Sequence, residues 1–150
     1  MVKKPKGTKR ILNRRAAYDY ELGEKFIVGI ALTGAETKAL RLGHGQLRGA
    51  YAAIMNDELW LVNAQINPTR GVYIEPDQES RSRKLLAKRS EIEKMAAARQ
   101  AGSTLVPLEI ATGGRYIKLK LAVGRGKKRY DKRESLRRTQ QEREARRSLS

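Results

Sequence analysis

Cysteine is missing from this 150-residue chain, and histidine occurs once, as His44. The first absence excludes a disulfide framework and any thiolate metal site, and one histidine between two glycines cannot build an imidazole-rich one. No apolar run approaches the roughly 20 residues that a membrane-spanning helix requires. The N-terminus is basic (Lys3, Lys4, Lys6, Lys9, Arg10) but is followed by no apolar core or small-residue cleavage site, so a cytoplasmic rather than a secreted protein is expected. Acidic residues are also scarce, 16 against 33 Lys and Arg, which leaves a net charge of +17. A surface that repels itself so strongly implies a polyanionic partner, and nucleic acid fits better than an anionic membrane.

The excess charge is unevenly spread. Residues 1–15 carry seven basic and no acidic side chains, residues 124–150 carry eleven basic and four acidic, and the long middle is close to balance. Charge runs of this kind are commonly just solvated. Two arms of one sign on a nearly balanced domain are also the layout of RNA-bound proteins, whose arms order on the phosphate backbone. The division expected is a basic arm over 1–12, a domain over 13–123 and a basic tail over 124–150.

Within the middle, residues 17–32 read as extended, with a turn at Leu22-Gly23-Glu24 and a buried strand from Phe26 to Leu32. Thr33-Gly34-Ala35-Glu36 has the form of a capping box, so a short helix should follow and end near Leu42, with Gly43 left-handed. Leu47–Met55 and Glu58–Asn63 read as a hairpin about Asn56-Asp57. Residues 67–82 read as a mobile loop. Ser90-Glu91-Ile92-Glu93 predicts a second capping box and an Ala-rich helix stopped by Gly102. Thr104–Ala111 and Arg115–Val123 form a last strand pair, which the Gly124-Arg125-Gly126 stretch should break. In that last strand Ile117, Leu119, Leu121 and Val123 share one face, leaving Lys118 and Lys120 on the other, roughly 7 Å apart. Such a face suits successive phosphates and serves equally as a solubilising surface. Six or so short strands with two or three short helices predict a mainly β fold, a small antiparallel barrel of the OB type.

The tail offers too little apolar surface to pack (Tyr130, Leu136, Ala145, Leu149), yet residues 131–147 contain neither Pro nor Gly. A segment disordered when free that becomes helical on a polyanion reconciles the two. Catalytic chemistry is not expected. Glu36 is explained by its capping box, Asp57-Glu58 by a turn, Glu91 and Glu93 by a helix start, and Gly124-Arg125-Gly126-Lys127 lacks phosphate-loop spacing. A magnesium-dependent nuclease would need clustered carboxylates, which the sequence does not offer. No cofactor is implied. Of the aromatics, Trp60 and Tyr51 lie inside strands and read as core, whereas Tyr18, Tyr20, Tyr73, Tyr116 and above all Tyr130 are free to stack on bases.

Several segments, in order, carry a resemblance. Gly29-Ile30-Ala31-Leu32-Thr33-Gly34-Ala35-Glu36-Thr37-Lys38-Ala39-Leu40-Arg41 resembles the AGIxLxGxEVKSLR signature of the SsrA-binding proteins, also called small protein B. Asn13-Arg14-Arg15-Ala16, Arg83-Lys84-Leu85-Leu86, Leu105-Val106-Pro107-Leu108 and Gly126-Lys127-Lys128-Arg129-Tyr130-Asp131-Lys132-Arg133 resemble that family's NRRAR, RKLL, LVPL and GKKxYDKR elements. The chain departs from the pattern at Ala17-Tyr18, at Ile27 (where the family has an acidic residue), at Val28 and over residues 78–81.

The resemblance implies an OB-like barrel that grips the tRNA-like domain of transfer-messenger RNA. It also implies a tail that enters the decoding centre of a stalled ribosome, against small-subunit rRNA, so that translation resumes on the tag-encoding frame. Carried over by position, Asn13, Arg14, Leu86 and Lys118, with neighbours Lys84 and Lys120, would face the RNA. Lys127, Lys128, Tyr130, Asp131, Lys132 and Arg133 would contact the ribosome. A monomer is expected when free. The competing expectation is a generic OB-type ribosomal or rRNA-binding protein without that partner.

Overall fold

The computed structural model describes residues 10–127 and, within 136–145, all but Arg138 and Glu142. The fold is mainly β with a few short helices. In chain order the elements are β1 (Ile11–Leu12), α1 (Ala16–Asp19), β2 (Tyr20–Ile30), α2 (Gly34–Arg41), β3 (Gly45–Gln46), β4 (Tyr51–Met55), β5 (Glu58–Val62), β6 (Gln65–Ile66), a 3-10 turn (Pro76–Gln78), β7 (Arg83–Leu86), α3 (Arg89–Gln100), β8 (Thr104–Ala111) and β9 (Lys118–Gly126). The larger sheet has the order β1-β8-β4-β5-β7-β2-β9, and β9 also pairs with β8. Hydrogen bonding therefore runs in a ring through six strands, each pair antiparallel. The small β3–β6 pair lies outside it.

Alternation decides which side chains enter that ring. Phe26 and Val28 from β2, Leu59 and Leu61 from β5, Leu85 from β7, Leu105 and Ile110 from β8, and Leu119 and Leu121 from β9 are buried together. Each contributes about 1.5–3 kcal/mol by leaving water. Two irregularities keep the register. Between Leu22 and Lys25, β2 carries one residue more than β9, so the expected turn at Leu22-Gly23-Glu24 is instead a bulge in a continuous strand. Between Pro107 and Glu109, β8 bulges in turn. Proline has no N–H to give the ladder, so a bulge is where a strand tolerates it.

The Thr33–Glu36 capping box is present in full: the Thr33 hydroxyl accepts from the Glu36 amide at 3.2 Å and the Glu36 carboxylate accepts from the Thr33 amide at 2.9 Å. At the other end of α2, Gly43 takes φ 87° and the His44 amide donates back to the Ala39 carbonyl, a Schellman ending that a side chain at 43 would strain. The hairpin turn at Asn56 (φ 52°) and Asp57 (φ 62°) is left-handed at both residues, as a two-residue type I′ turn requires.

Other expectations are corrected. Residues 17–19, expected to be extended, belong to the helix α1. Strand β4 begins at Tyr51, not Leu47. Helix α3 starts at Arg89, with the Glu91 carboxylate accepting from the Lys88 amide at 3.1 Å, so Ser90 lies inside the first turn and does not cap it. The segment 67–82 is anchored through the buried Val72 and Ile74 and a bridge between Thr69 and Val72. Strand β9 is not broken at Gly124: it pairs with Tyr20–Leu22 through Gly126, and the Lys127 amide donates to the Asp19 carbonyl at 3.0 Å. At the other boundary Ile11 is already core. Residues 136, 137, 139–141 and 143–145 are helical and exposed.

Candidate nucleic-acid interface

Outward positions of neighbouring strands line up across the sheet. One row runs Leu12 (β1), Glu109 (β8), Lys120 (β9), Ile27 (β2); the next runs Ala111 (β8), Lys118 (β9), Gly29 (β2), Leu86 (β7). Lys84, two residues before Leu86 on the same face, stands opposite Trp60 of β5. Lys84, Leu86 and Lys118 thus converge on one open groove with Ile27 and Gly29. Gly29 makes this possible: a Cβ there would lie 3.3 Å from Leu86 Cβ, so any larger residue would crowd the groove floor. Ile27 and Leu86 are more than half exposed, an apolar strip between cations.

The lysines are not equivalent. Lys120 Nζ lies 3.5 Å from Glu109 Oε2, and Glu109 is nearly buried. Among the described residues its other oxygen makes no hydrogen bond and meets only the Arg10 guanidinium, at 3.5 Å. Lys84 Nζ pairs loosely with Glu58 at 3.4 Å, both side chains being almost half exposed. Lys118 has no ion pair among the described residues and is exposed. The sequence treats 118 and 120 as twins, whereas the structure leaves one cation free and ties up the other.

Asn13 and Arg14 stand apart from the groove. The Asn13 side chain donates to the Pro107 carbonyl at 2.8 Å and its backbone amide to the Leu108 carbonyl at 2.9 Å, so Asn13 fixes the end of β1 to the β8 bulge. Arg14 belongs with Arg10, Arg15 and Arg48 around a second depression beside β1. The expected tail residues Lys128, Tyr130, Asp131, Lys132 and Arg133 lie outside the described residues; of that group Lys127 alone is described. Trp60 and Tyr51, expected in the core, point outward because Leu59, Leu61 and Ala52 take the inward positions; Tyr51 is exposed and Trp60 partly so.

The strongest charge cluster is one the sequence reading did not assign. Glu36 and Arg83 are both buried, with Arg83 Nε 2.8 Å from Glu36 Oε2, and Arg81 completes the grip on the same carboxylate. Arg83 also donates to the carbonyls of Ala64 (2.7 Å), Arg81, Gln78 and Glu79, so one guanidinium holds both ends of the long loop. Burial alone would raise the Glu36 pKa; the hydrogen bonds from Arg81, the Thr33 amide and Arg83, with the Arg83 charge, outweigh it and hold the group below its ordinary value. Burial depresses Arg83 against the opposing pull of Glu36. No local pattern could have revealed a pair 47 positions apart. Among the described residues there is no group of three or more His, Cys, Asp or Glu side chains that could hold a metal ion, and no helix long and apolar enough to cross a membrane.

A family model described as SmpB protein matches residues 10–150. The SsrA-binding protein of Trichormus variabilis is 44% identical over 140 residues, covering 91% of this chain and 90% of its own length. That of Chlorobium chlorochromatii is 43% identical over 135 residues, covering 89% and 86%. A solved chain described under "tmRNA-SmpB: a journey to the center of the bacterial ribosome" superposes with a TM-score of 0.66 at 41% identity, covering 86% of this chain and 95% of that one.

Proposed function

The chain belongs to the SmpB protein family, and on that footing we propose that it binds transfer-messenger RNA and acts with it on stalled ribosomes in trans-translation. The observation that best supports a binding surface is the free Lys118 standing in register with Gly29 and the exposed Leu86. A cation without a partner on a rigid strand is ready to take a phosphate, and the adjacent apolar strip can pack against ribose or base.

The ring of six paired strands is best read as a small OB-like barrel. It grips the folded tRNA-like domain, and the basic tail, helical at residues 136, 137, 139–141 and 143–145, enters the decoding centre against small-subunit rRNA. Lys127, Lys128, Tyr130, Asp131, Lys132 and Arg133 are the tail residues proposed to make that contact. Asn13 serves the RNA surface by holding the end of β1 to the β8 bulge, while Arg14, Lys84, Lys118, Lys120 and Leu86 face the RNA. The protein works in the cytoplasm, as a monomer when free, and carries out no catalysis of its own.

Binding of the full chain to the transcribed tRNA-like domain and to bulk tRNA, side by side at about 0.15 M salt, tests this reading. Selective retention of the first is expected; equal affinity for both would leave a generic RNA binder. A truncation after Lys127, which spares β9, should keep the RNA affinity and lose tagging on stalled ribosomes. Loss of both together would contradict the division of labour between barrel and tail.

A further inference from the structure

The β8–β9 hairpin tip, residues 112–117, carries more structure than a solvent-facing turn needs. Arg41, the last residue of α2, reaches across to it: Nη1 donates to the Thr112 carbonyl at 3.2 Å and Nη2 to the Arg115 carbonyl at 3.0 Å. Thr112 is itself buried, so the guanidinium pins both sides of the tip to the body. What the clamp presents is Tyr116, 69% exposed, with the Arg115 guanidinium 5.6 Å from its ring centroid. That distance is within cation–π range and steadies the ring without covering it. Tyr116 stands two residues before Lys118, where β9 begins, with the buried Ile117 between them, so ring and ammonium are near neighbours at the mouth of the strand. No acidic residue occurs from Thr112 to Lys118.

We propose that this tip is a nucleobase platform extending the Lys118 groove: Tyr116 stacks on an unpaired base, Arg115 takes the neighbouring phosphate, and Arg41 is a positioning residue. A rigid, exposed aromatic amid cations favours RNA over an apolar protein surface, for which residues 112–117 offer no exposed aliphatic side chain. The inference rests on the reading that the strand face holds a folded RNA.

The test measures affinity and salt dependence of the full chain for the transcribed tRNA-like domain. Tyr116→Ala should lose roughly 10-fold in affinity with the salt slope unchanged, because the lost partner is a neutral ring. Tyr116→Trp should restore binding and Tyr116→Leu should not. Arg115→Ala should lower the slope by about one. Arg41→Met should weaken the parent protein yet add little to Tyr116→Ala, since both act on one contact. Wild-type affinity in Tyr116→Ala or Tyr116→Leu overturns the platform, and full additivity of Arg41→Met overturns its positioning role. If Arg41→Met fails to fold, the Tyr116 series decides alone. A parent protein that cannot distinguish its ligand from bulk tRNA sinks the functional reading itself, whereas a selective parent with an indifferent Tyr116→Ala sinks only the platform.

Discussion

Two clusters of charge in this molecule use the same residue types for opposite ends. In the interior, Glu36, Arg81 and Arg83 satisfy one another and five backbone carbonyls. On the outer strand face, among the described residues, Lys118 has no ion pair and Lys84 and Lys120 are held only by contacts of 3.4–3.5 Å. Burial separates the roles. A charge removed from water must be compensated within the fold, so it organises structure; a charge left in water is held loosely and remains available to a polyanion. Net charge alone, however extreme, does not tell the two apart.

Breaking the interior cluster should have the largest effect. Glu36→Ala strands Arg83 without a counter-ion and should cost about 3–5 kcal/mol in denaturant unfolding, a large share of a typical domain's stability. An unfolding free energy within error of the parent would mean that water compensates Arg83.

Acid probes the same cluster without mutation. The folded pKa of Glu36 lies below its ordinary value of 4.5, so its contribution is complete above that value and is lost as pH falls through the lower, folded pKa. Thermal unfolding followed downward from pH 5 should show that loss, and Glu36→Gln should flatten it.

The outer face should respond in RNA binding rather than in stability. Lys118→Ala is expected to lower the salt slope of RNA binding by roughly one while unfolding changes by no more than about 0.5 kcal/mol. The smallest effect sharpens the contrast from the acidic side. Glu58→Gln releases Lys84 from a half-exposed pair, so stability should move by less than about 1 kcal/mol and RNA affinity should rise slightly. A fall in affinity would show that Glu58 orients Lys84 instead of competing for it.

The sequence disclosed what depends on near neighbours. The Thr33–Glu36 box, the Asn56-Asp57 turn and β8 follow from local chemistry, and each stands where expected. The short α1 escaped because Arg15 gives it no side-chain cap; instead Arg15 pairs with Asp19 at 3.4 Å across the single turn. Tyr51 and Trp60 were misplaced because an aromatic in a strand says nothing of which face is inward; pairing with β7 and β8 decides that. The candidate interface was half legible. Lys84, Leu86 and Lys118 meet in one groove, but Glu109 restrains Lys120 through a strand pairing that no spacing rule contains.

Strand β9 stays paired to Gly126, and the next amide is tied to Asp19. Whatever residues 128–150 reach for, the chain hands them off from one fixed origin. An extra residue beyond Lys127 extends their span by at most about 3.6 Å, whereas one inserted upstream of Gly126 would turn the departing side chains to the opposite face. Length can therefore vary freely on one side of that origin and hardly at all on the other.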